Sequence, residues 1–405
     1  MPEENSKESS HQGQEQEFKE NPRRKALKTG VAMGGLAATA SMPFWSTLAL
    51  GASEELVQFT DMPEGYTVPP VAPGGIHYLD TSKIDSFYTP NDDFYIIQHY
   101  NQPEVAESAY RLNVTGLVNT PLEFTLADLK RHQKFEIDAG FECGGNSPRL
   151  FQGLIGNARW GGVRLVDLLE EAGLQRDGVE VVFYGADKGM EKTRNDLDME
   201  VEMAFGRSIH IDDALNPDII LAYEMNGEAL PLFHGAPLRL VMPGWYGVAN
   251  VKWLSQIHIQ DSRYMGRFMG RDYVTLSKRN IGGEERWEER SVTRIQLKSS
   301  IIRVTKNGND HNITGFVLND GTPLRSVEVK IDNGPWQQAE IDPASKKYSW
   351  KLFNFNWQNA SSGEHTIVSR VTDVTGQVQA TQDQMPEKPT RWENYAQFPR
   401  TVMIG

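Results

Sequence analysis

Residues 141–147 read Phe-Glu-Cys-Gly-Gly-Asn-Ser and contain Cys143, the only cysteine in the 405-residue chain. A single thiol can form neither an internal disulfide nor a multi-cysteine metal cage. It is therefore either an inert buried side chain or a single reactive or metal-ligating thiolate. The setting favours the second reading, because two glycines after the sulfur allow a sharp turn and the close approach of a large group. The motif on its own leaves both readings open.

The first fifty residues have the layout of an export signal. Residues 1–20 are polar and of low complexity, which predicts disorder. Arg23 and Arg24 then precede a weakly apolar stretch that ends near Gly51, the arrangement of a twin-arginine signal with cleavage at its end. An uncleaved membrane anchor is the alternative, which Pro43 disfavours. Because the twin-arginine route carries folded proteins, residues 1–52 predict a periplasmic location and hint at a cofactor inserted before export.

Composition and charge narrow the classes of function. The formal net charge is −13 at pH 7, and the sequence contains no basic stripe, which argues against nucleic-acid binding. Beyond the N-terminal apolar stretch, no second segment is long and apolar enough to predict a membrane span. The rest of the chain, about 350 residues, is too long for one ordinary core, so two domains are expected.

Residues 53–285 predict a mixed α+β domain. Thr125 is placed to cap a short helix over residues 126–131, and residues 164–173 have an amphipathic helical pattern that stops at a glycine. The irregular order of helix and strand signals favours α+β over a regular βαβ array. Apolar and β-branched runs predict strands at residues 110–118, 179–184, 219–223 and 238–242.

From about residue 298 the pattern changes to short alternating strands. Turn sequences at residues 319–321 and 332–334 separate some of them. This spacing is typical of an antiparallel sandwich of roughly a hundred residues, which we assign to residues 286–405 with its C-terminal tail. The expected boundary lies in the charged stretch 278–297. The predicted strands are at residues 301–304, 311–318, 327–331, 348–353 and 365–371.

Several familiar chemical motifs do not occur. The sequence has no G-x-G-x-x-G after a strand, no P-loop, no H-E-x-x-H and no G-x-S-x-G. One cysteine excludes the C-x-x-C-H haem attachment motif and a protein-held iron–sulfur cluster. A cysteine hydrolase remains open, because the chain has nine histidines that could partner Cys143.

Longer segments, taken together, resemble the sulfite oxidase family of molybdenum enzymes. These segments are residues 141–147, 157–165, 167–169, 234–239, 243–247 and 251–254, in the family's order and separations. Residues 327–336 resemble that family's immunoglobulin-like dimerisation domain. The resemblance implies a mixed α+β molybdopterin-binding domain, an all-β immunoglobulin-like sandwich after it, and a homodimer.

The resemblance also implies roles for single residues, each of which alone has an ordinary structural explanation. Cys143 matches the cysteine that binds molybdenum, and a soft thiolate suits a high-valent redox metal. Tyr264 lies near the family's active-site tyrosine, whose role would be a hydrogen bond or proton relay beside the metal. Positions that match residues binding the molybdopterin are His99, Asp187, His234, Arg239, Asn250, Val251 and Lys252.

The chain departs from the family at the positions that bind the oxyanion. At the three positions where the family has arginines, this chain has Ile97, Pro148 and Tyr395. Arg149 follows directly after Pro148. Losing charge-assisted contacts weakens anion binding, and Arg149 compensates in part as a candidate catalytic residue. The substrate is therefore a small oxyanion such as sulfite, or a neutral S-oxo or N-oxo compound.

The sequence thus predicts a periplasmic molybdenum oxidoreductase that transfers an oxygen atom and passes two electrons to a separate carrier such as a c-type cytochrome. A reductase of sulfoxide-like or N-oxide-like compounds is one alternative. A non-catalytic relative that only binds the cofactor is another. A metal-free cysteine hydrolase, sensitive to thiol alkylation, is the third.

Overall fold

The computed structural model describes residues 54–62, 68, 76–148, 152–192 and 198–405. The predicted export signal and Arg149 lie outside these ranges. Within them the structure is mostly β, and its longest α-helix has eight residues. The predicted α+β class therefore holds only loosely for the first domain. No helix of the described ranges has the length and apolar character needed to cross a membrane.

The elements of the described ranges run in chain order as follows. The helices are α1 (Leu126–Leu129), α2 (Leu165–Ala172), α3 (Ile211–Ala214) and α4 (Arg267–Gly270). The strands are β1 (Glu55–Val57), β2 (Leu112–Gly116), β3 (Leu122–Phe124), β4 (Phe135–Glu142), β5 (Ile155–Arg164), β6 (Glu180–Lys192), β7 (Glu200–His210), β8 (Ile220–Met225), β9 (Glu228–Ala229), β10 (Arg239–Val241), β11 (Leu254–Gln260), β12 (Val274–Ile281), β13 (Glu284–Ser291), β14 (Lys298–Asn307), β15 (Asp310–Leu318), β16 (Leu324–Ile331), β17 (Gln337–Gln338), β18 (Glu340–Ile341), β19 (Lys351–Trp357), β20 (Gly363–Asp373) and β21 (Arg400–Ile404).

Two sheets form the first domain. One has the order β10-β8-β5-β4, with β9 paired to β8, and the other has the order β3-β2-β11-β6-β7. Strand β11 runs parallel to β2 and antiparallel to β6. Both sheets contribute fully buried aliphatic side chains to one large core, and burial of that apolar surface drives their packing. Strand β4 ends at Glu142, so the sheet delivers Cys143 to a second, smaller cluster of buried side chains that includes Phe94, Phe141 and Trp160.

The helix ends in this domain follow from local sequence. Helix α1 begins with a capping box in which Thr125 and Asp128 satisfy each other's backbone N–H groups, as predicted from Thr125. Helix α2 ends at Gly173, whose φ of 69° lies in the left-handed region that favours glycine. Both predicted helices are therefore confirmed, although α1 stops two residues before the predicted Arg131.

The C-terminal domain consists of two packed antiparallel sheets. One has the order β1-β14-β15-β19-β18 and the other the order β17-β16-β20-β21. Their inner faces share a core of buried side chains that includes Val304, Phe353, Val329 and Val371. All five predicted strands of this region are present. The immunoglobulin-like and dimerising character of the sandwich stays a prediction.

The structure differs from the predicted domain limits in two places. Strand β1, placed by prediction in the first domain, pairs with β14 of the sandwich. The predicted limit between residues 285 and 286 falls inside a separate two-stranded hairpin, β12–β13. This hairpin is rich in exposed charged side chains, and its buried positions Thr275 and Ser277 are polar, so it has no alternating apolar signal that could have marked it as strand.

The C-terminal tail returns from the sandwich to the first domain. Lys278 N donates to Glu387 O, and Glu393 N donates to the carbonyl of Gly144 in the cysteine loop at 2.7 Å. The Glu393 carboxylate is buried and accepts a hydrogen bond from Thr275 at 2.6 Å. The tail therefore lies over the loop that carries Cys143.

A buried ion pair joins the two domains beside the same loop. Lys298, the first residue of β14, donates to the carboxylate of Glu142 at 2.5 Å, and the two side chains are 1% and 2% exposed. Asn146 donates to the same carboxylate oxygen at 3.0 Å. Removing one partner of such a pair leaves an uncompensated charge in a low-dielectric interior.

We expect Lys298→Met to lower the free energy of unfolding by about 3 kcal/mol or more, because the Glu142 carboxylate loses its counter-charge. Urea unfolding measures the change. The double variant with Glu142→Gln should recover most of the loss, since it removes the second charge as well. Arg286→Met, which breaks the exposed pair with Glu284, is the control and should change stability by less than about 1 kcal/mol. Equal losses of stability in Lys298→Met and Arg286→Met would contradict the stabilising role of the buried ion pair.

Candidate cofactor site

The cysteine loop is a tight turn held from three sides. Asn146 N donates to Cys143 O at 2.9 Å to close the turn. The Asn146 side chain accepts from Leu154 N at 3.2 Å, which ties the loop to the start of β5. A Cβ at Gly144 would lie 3.0 Å from Val292, and one at Gly145 would lie 3.1 Å from the Trp392 ring. The glycines are required here by close packing rather than by an unusual backbone conformation.

Cys143 lies in a pocket that encloses about 630 Å³ of empty space, part of it open to solvent. The protein chain reaches this pocket from loops at the ends of several strands, which is why its residues are far apart in sequence. Seven of the residues singled out from the sequence line it together: Cys143, His99, Asp187, His234, Arg239, Asn250 and Lys252.

Three other predicted residues are not brought to the pocket lining. Val251 is buried in the core beneath it and uses its carbonyl to accept from Leu240 N. Tyr264 packs its ring edge-on against Tyr184, with ring centres 5.8 Å apart, and does not line the pocket. Arg149 lies outside the described residues.

A different tyrosine, Tyr273, lines the pocket together with Cys143 and is a second candidate beside the predicted Tyr264. The Tyr273 hydroxyl lies 2.8 Å from His99 Nε2, within hydrogen-bonding distance, and Tyr273 lines the same pocket as Cys143. Burial raises the pKa of Tyr273, which keeps its hydroxyl protonated. The family match of Tyr264 required a shift of one residue, which was the available signal that another tyrosine could hold this role. Tyr273 lies directly before strand β12.

The pocket lining also contains two cations, Arg239 and Lys252, without carboxylate partners at hydrogen-bonding distance in the described ranges. Arg239 is buried and donates to the carbonyls of His234 and Asn250 at 2.9 and 3.1 Å. Lys252 donates to Phe233 O at 3.0 Å. Burial lowers the pKa of Arg239 to about 10 and that of Lys252 to about 7. The pocket therefore disfavours these charges until an anion enters it.

The two histidines of the pocket are neutral at pH 7. Burial lowers the pKa of His99 to about 4 and that of His234 to about 3. His234 Nε2 lies 2.7 Å from the carbonyl of Asn91, so this nitrogen carries the proton and Nδ1 is left as an acceptor. His99 packs against the rings of Phe205 and Phe268, which also stack on each other. Both rings are thereby held in fixed orientations.

Asp187 supplies the remaining polar group of the pocket. It lies where the pairing of β6 with β7 is interrupted, between Tyr184 and Lys188. Its side chain is 3% exposed, and its Oδ1 has no hydrogen-bond partner among the described residues. Burial raises its pKa to about 7. A buried, unpartnered oxygen of this kind is a place where a donor of a ligand can bind.

The donor set fits a molybdopterin. The buried Arg239 and the half-buried Lys252 suit its phosphate, because a dianion would stabilise charges that partial or full burial disfavours. Asp187 and the acceptor nitrogen of His234 suit N–H groups of a pterin. The thiol of Cys143 is the one soft metal ligand, and no cluster of three or more His, Cys, Asp or Glu that could hold a metal occurs in the described ranges. The residues present thus fit one thiolate ligand plus ligands brought by the cofactor.

Aromatic rings pack against the cysteine loop beside the pocket. Trp392 of the C-terminal tail stacks on Tyr273 with ring centres 4.3 Å apart, and a Cβ at Gly145 would lie 3.9 Å from the Cys143 sulfur. Ile97 lines the pocket, whereas Tyr395 is half-buried in the tail near Lys388. Sequence reasoning missed Trp392 because its contact with the loop is long-range.

Comparison with known proteins agrees with this site. The model of the family described as oxidoreductase molybdopterin binding domain matches residues 99–268. The fold and the site thus define a molybdopterin-binding oxidoreductase domain. Mitochondrial sulfite oxidase of Drosophila melanogaster is 31% identical over 299 residues, covering 66% of this chain and 50% of that protein. Sulfite oxidase of Gallus gallus is 30% identical over 327 residues, covering 73% of this chain and 68% of that protein. The chain belongs to the sulfite oxidase family, and its site implies the family's molybdenum cofactor.

A solved structure extends the likeness to the whole fold. The sulfane dehydrogenase SoxCD of Paracoccus pantotrophus superposes with a TM-score of 0.69 at 24% identity, covering 93% of this chain and 96% of that chain. At this identity the match speaks for the fold. The chain spans about half the length of several curated relatives, for example 50% of the Drosophila melanogaster protein and 56% of the human one.

The lowered pKa of Lys252 predicts a pH-dependent stability in cofactor-free protein. Between its folded pKa of about 7 and its ordinary value of about 10.4, the unfolded chain binds more protons, so stability rises with pH. From pH 7 to 9 the free energy of unfolding should rise by roughly 1 kcal/mol more in the wild type than in Lys252→Gln, after allowance for partial solvent screening. Urea unfolding of protein made in a cofactor-deficient host measures it.

Lys83→Gln, at an exposed lysine, is the control and should keep the wild-type slope. Lysines 351 and 388, whose pKa values burial lowers to about 8, contribute equally to both proteins and cancel in the difference. Identical pH slopes for wild type and Lys252→Gln would contradict the desolvation of this ammonium. Bound cofactor should remove the slope, because its phosphate favours the charged lysine.

Proposed function

We propose that this protein is a periplasmic oxidoreductase that uses a molybdenum cofactor to oxidise sulfite or a related sulfur compound and passes the electrons to a separate carrier. The proposal rests on one pocket that is lined by the single thiol of Cys143 and by Arg239 and Lys252, two cations without ion-pair partners in the described ranges. The names of the relatives, sulfite oxidase and sulfane dehydrogenase, support a sulfur substrate.

The residues divide between holding the cofactor and serving the substrate. Cys143 would bind the molybdenum, while Arg239 and Lys252 would bind the phosphate and Asp187 and His234 the pterin. When bound, this cofactor supplies two-electron oxygen-atom transfer. Burial raises the pKa of the Cys143 thiol to about 11, so a free thiolate nucleophile is disfavoured at pH 7. That argues against the cysteine hydrolase alternative, which needs an ionised sulfur in the absence of a metal.

Tyr273 and His99 would hold a proton beside the reacting atoms and donate a hydrogen bond there. The Tyr273 hydroxyl stays protonated, and it lies 2.8 Å from the neutral His99 Nε2. A donor held in this way can bind a substrate oxygen without first giving up its proton. The net reaction for sulfite balances as sulfite plus water giving sulfate, two protons and two electrons. The two electrons would leave to another protein, for which a c-type cytochrome is the proposed class.

An uncharged substrate is the second candidate. The family's anion-binding positions carry Ile97, Pro148 and Tyr395, and Ile97 presents an apolar surface to the pocket. Such a wall suits a neutral S-oxo or N-oxo compound, with the site working as a reductase. A third possibility is a relative that binds cofactor without turnover. The twin-arginine signal supports the proposed export, and the C-terminal sandwich is the proposed dimer interface.

The test is sulfite-dependent reduction of ferricytochrome c by the cofactor-loaded protein. We expect turnover with sulfite and none in its absence. Turnover with dimethyl sulfoxide and a reduced dye, but not with sulfite, would support the reductase instead. No turnover with either compound in molybdenum-loaded protein would contradict both enzymatic proposals and leave the binding role.

Two tyrosine variants assign the proton donor within the same assay. Tyr273→Phe should lower kcat by about 10- to 100-fold, because it removes the hydroxyl beside His99. Tyr264→Phe is the matched control and should leave kcat within about twofold, since that side chain packs on Tyr184 outside the pocket. A large loss of kcat in Tyr264→Phe, with little change in Tyr273→Phe, would assign the proton donor to Tyr264 and contradict this interpretation of the pocket.

A further inference from the structure

Tyr273, which lines the pocket with Cys143, has an unfavourable backbone conformation. Its φ is 54°, in the left-handed region where a residue with a bulky side chain is rarely found. Such a conformation persists only where the surrounding structure enforces it, and conformations of this kind are concentrated at active sites and ligand-binding sites. The contacts that hold Tyr273 are therefore important for the site.

The main chain and the ring of Tyr273 are held by different neighbours. Val292 N, directly after β13, donates to Tyr273 O at 2.8 Å, which fixes the main chain. Three aromatic rings contact the side chain, those of Trp392, His99 and Phe268, with ring centres 4.3, 5.4 and 6.5 Å away. Trp392 is the closest of the three, and its plane is inclined by only 23° to that of Tyr273. The stacked indole thus sets the direction of the tyrosine ring.

The C-terminal tail holds Trp392 in place. Lys388 Nζ donates to the carbonyls of Trp392 and Glu393 at 2.6 and 2.7 Å. Glu393 also has a left-handed backbone, with φ of 57°, and its N–H donates to Gly144 O at 2.7 Å. Its buried carboxylate accepts from Thr275 at 2.6 Å. The tail is therefore bound both to the cysteine loop and to strand β12, which begins directly after Tyr273.

The Trp392 ring contacts the cysteine loop as well as Tyr273. A Cβ at Gly145 would lie 3.1 Å from this ring, and a Cβ at Gly144 would lie 3.6 Å from the Tyr273 ring. Trp392 itself is not among the residues of the described ranges that line the pocket. Any effect of the indole on chemistry in the pocket must therefore pass through its neighbours, of which Tyr273 carries the polar group.

We propose that Trp392 is a positioning residue, which holds the Tyr273 ring so that its hydroxyl stays at hydrogen-bonding distance from His99. The inference rests on the proposed function for the role of Tyr273 as a donor. The distance that it explains is the 2.8 Å between the Tyr273 hydroxyl and His99 Nε2. A hydrogen bond weakens steeply when its donor turns away, and a displacement of about 1 Å in an active site can lower the rate about 100-fold. Without the indole, Tyr273 can relax from its left-handed conformation and its hydroxyl leaves His99.

The first experiment compares Trp392→Leu, which keeps apolar volume but loses the flat ring, with Trp392→Phe, which keeps a ring that can stack. Trp336→Leu is the control, because that half-buried tryptophan of the sandwich lies against the guanidinium of Arg370. Steady-state assays of the cofactor-loaded proteins give kcat and KM for sulfite. Trp392→Leu should lower kcat by about tenfold and leave KM within about twofold. Trp392→Phe and Trp336→Leu should keep kcat within about threefold of the wild type.

A double variant separates positioning from a general loss of structure. Because Trp392 acts through Tyr273 in this account, Trp392→Leu combined with Tyr273→Phe should have the kcat of Tyr273→Phe alone. Losses of kcat that multiply in the double variant would overturn the inference. So would a loss in Trp336→Leu as large as that in Trp392→Leu.

A second readout does not depend on turnover. Nitrogen NMR of cofactor-loaded protein with isotope-labelled histidine reports the hydrogen bond at His99 Nε2, whose signal is identified by its shift in Tyr273→Phe. Trp392→Leu should move this signal towards its position in Tyr273→Phe, and Trp392→Phe should leave it at the wild-type position. An unchanged signal in Trp392→Leu overturns the positioning role, whatever the substrate. A wild type without sulfite turnover overturns the proposed function, and the shifted signal in Trp392→Leu then still supports this inference.

Discussion

The buried ion pair between Glu142 and Lys298 is the constraint on which the site depends. It joins the last residue of β4 to the first residue of β14, with both side chains almost fully buried. A buried pair of this kind contributes little net stability but strongly disfavours any arrangement that separates its members. It therefore fixes the sandwich against the loop that carries Cys143. The tail can then lie over that loop and place Trp392 on Tyr273.

Burial also shifts the pKa values of the charged groups that line the pocket. It lowers the pKa of Lys252 and Arg239 and raises that of Asp187, so these groups are held in a medium that disfavours their charges. Such an arrangement is retained where a bound ligand supplies the missing counter-charge. A dianionic phosphate supplies that counter-charge. The shifted pKa values of these groups therefore agree with the cofactor that the family uses.

The sequence predicted what is encoded in short, contiguous motifs. Cys143, His234, Arg239 and Lys252 were found because each lies in a segment with a recognisable order of residues, and the structure brings them into one pocket. Trp392 was missed because its contact with the cysteine loop depends on the packing of a distant tail. Likewise, strands β4 and β5 gave no clear signal, since their glycines and polar residues are accepted only in a buried sheet. The hairpin β12–β13, whose buried positions are polar, gave none either.

We infer that Cys143 supplies the protein's ligand to molybdenum. Metal analysis combined with molybdenum X-ray absorption tests this role. The comparison is between cofactor-loaded wild type and Cys143→Ser, both produced with the same cofactor supply. Near-stoichiometric molybdenum in the wild type, and one sulfur ligand fewer in the variant, is the result that the structure predicts. Absence of molybdenum from the wild type, or an unchanged number of sulfur ligands in the variant, would contradict it.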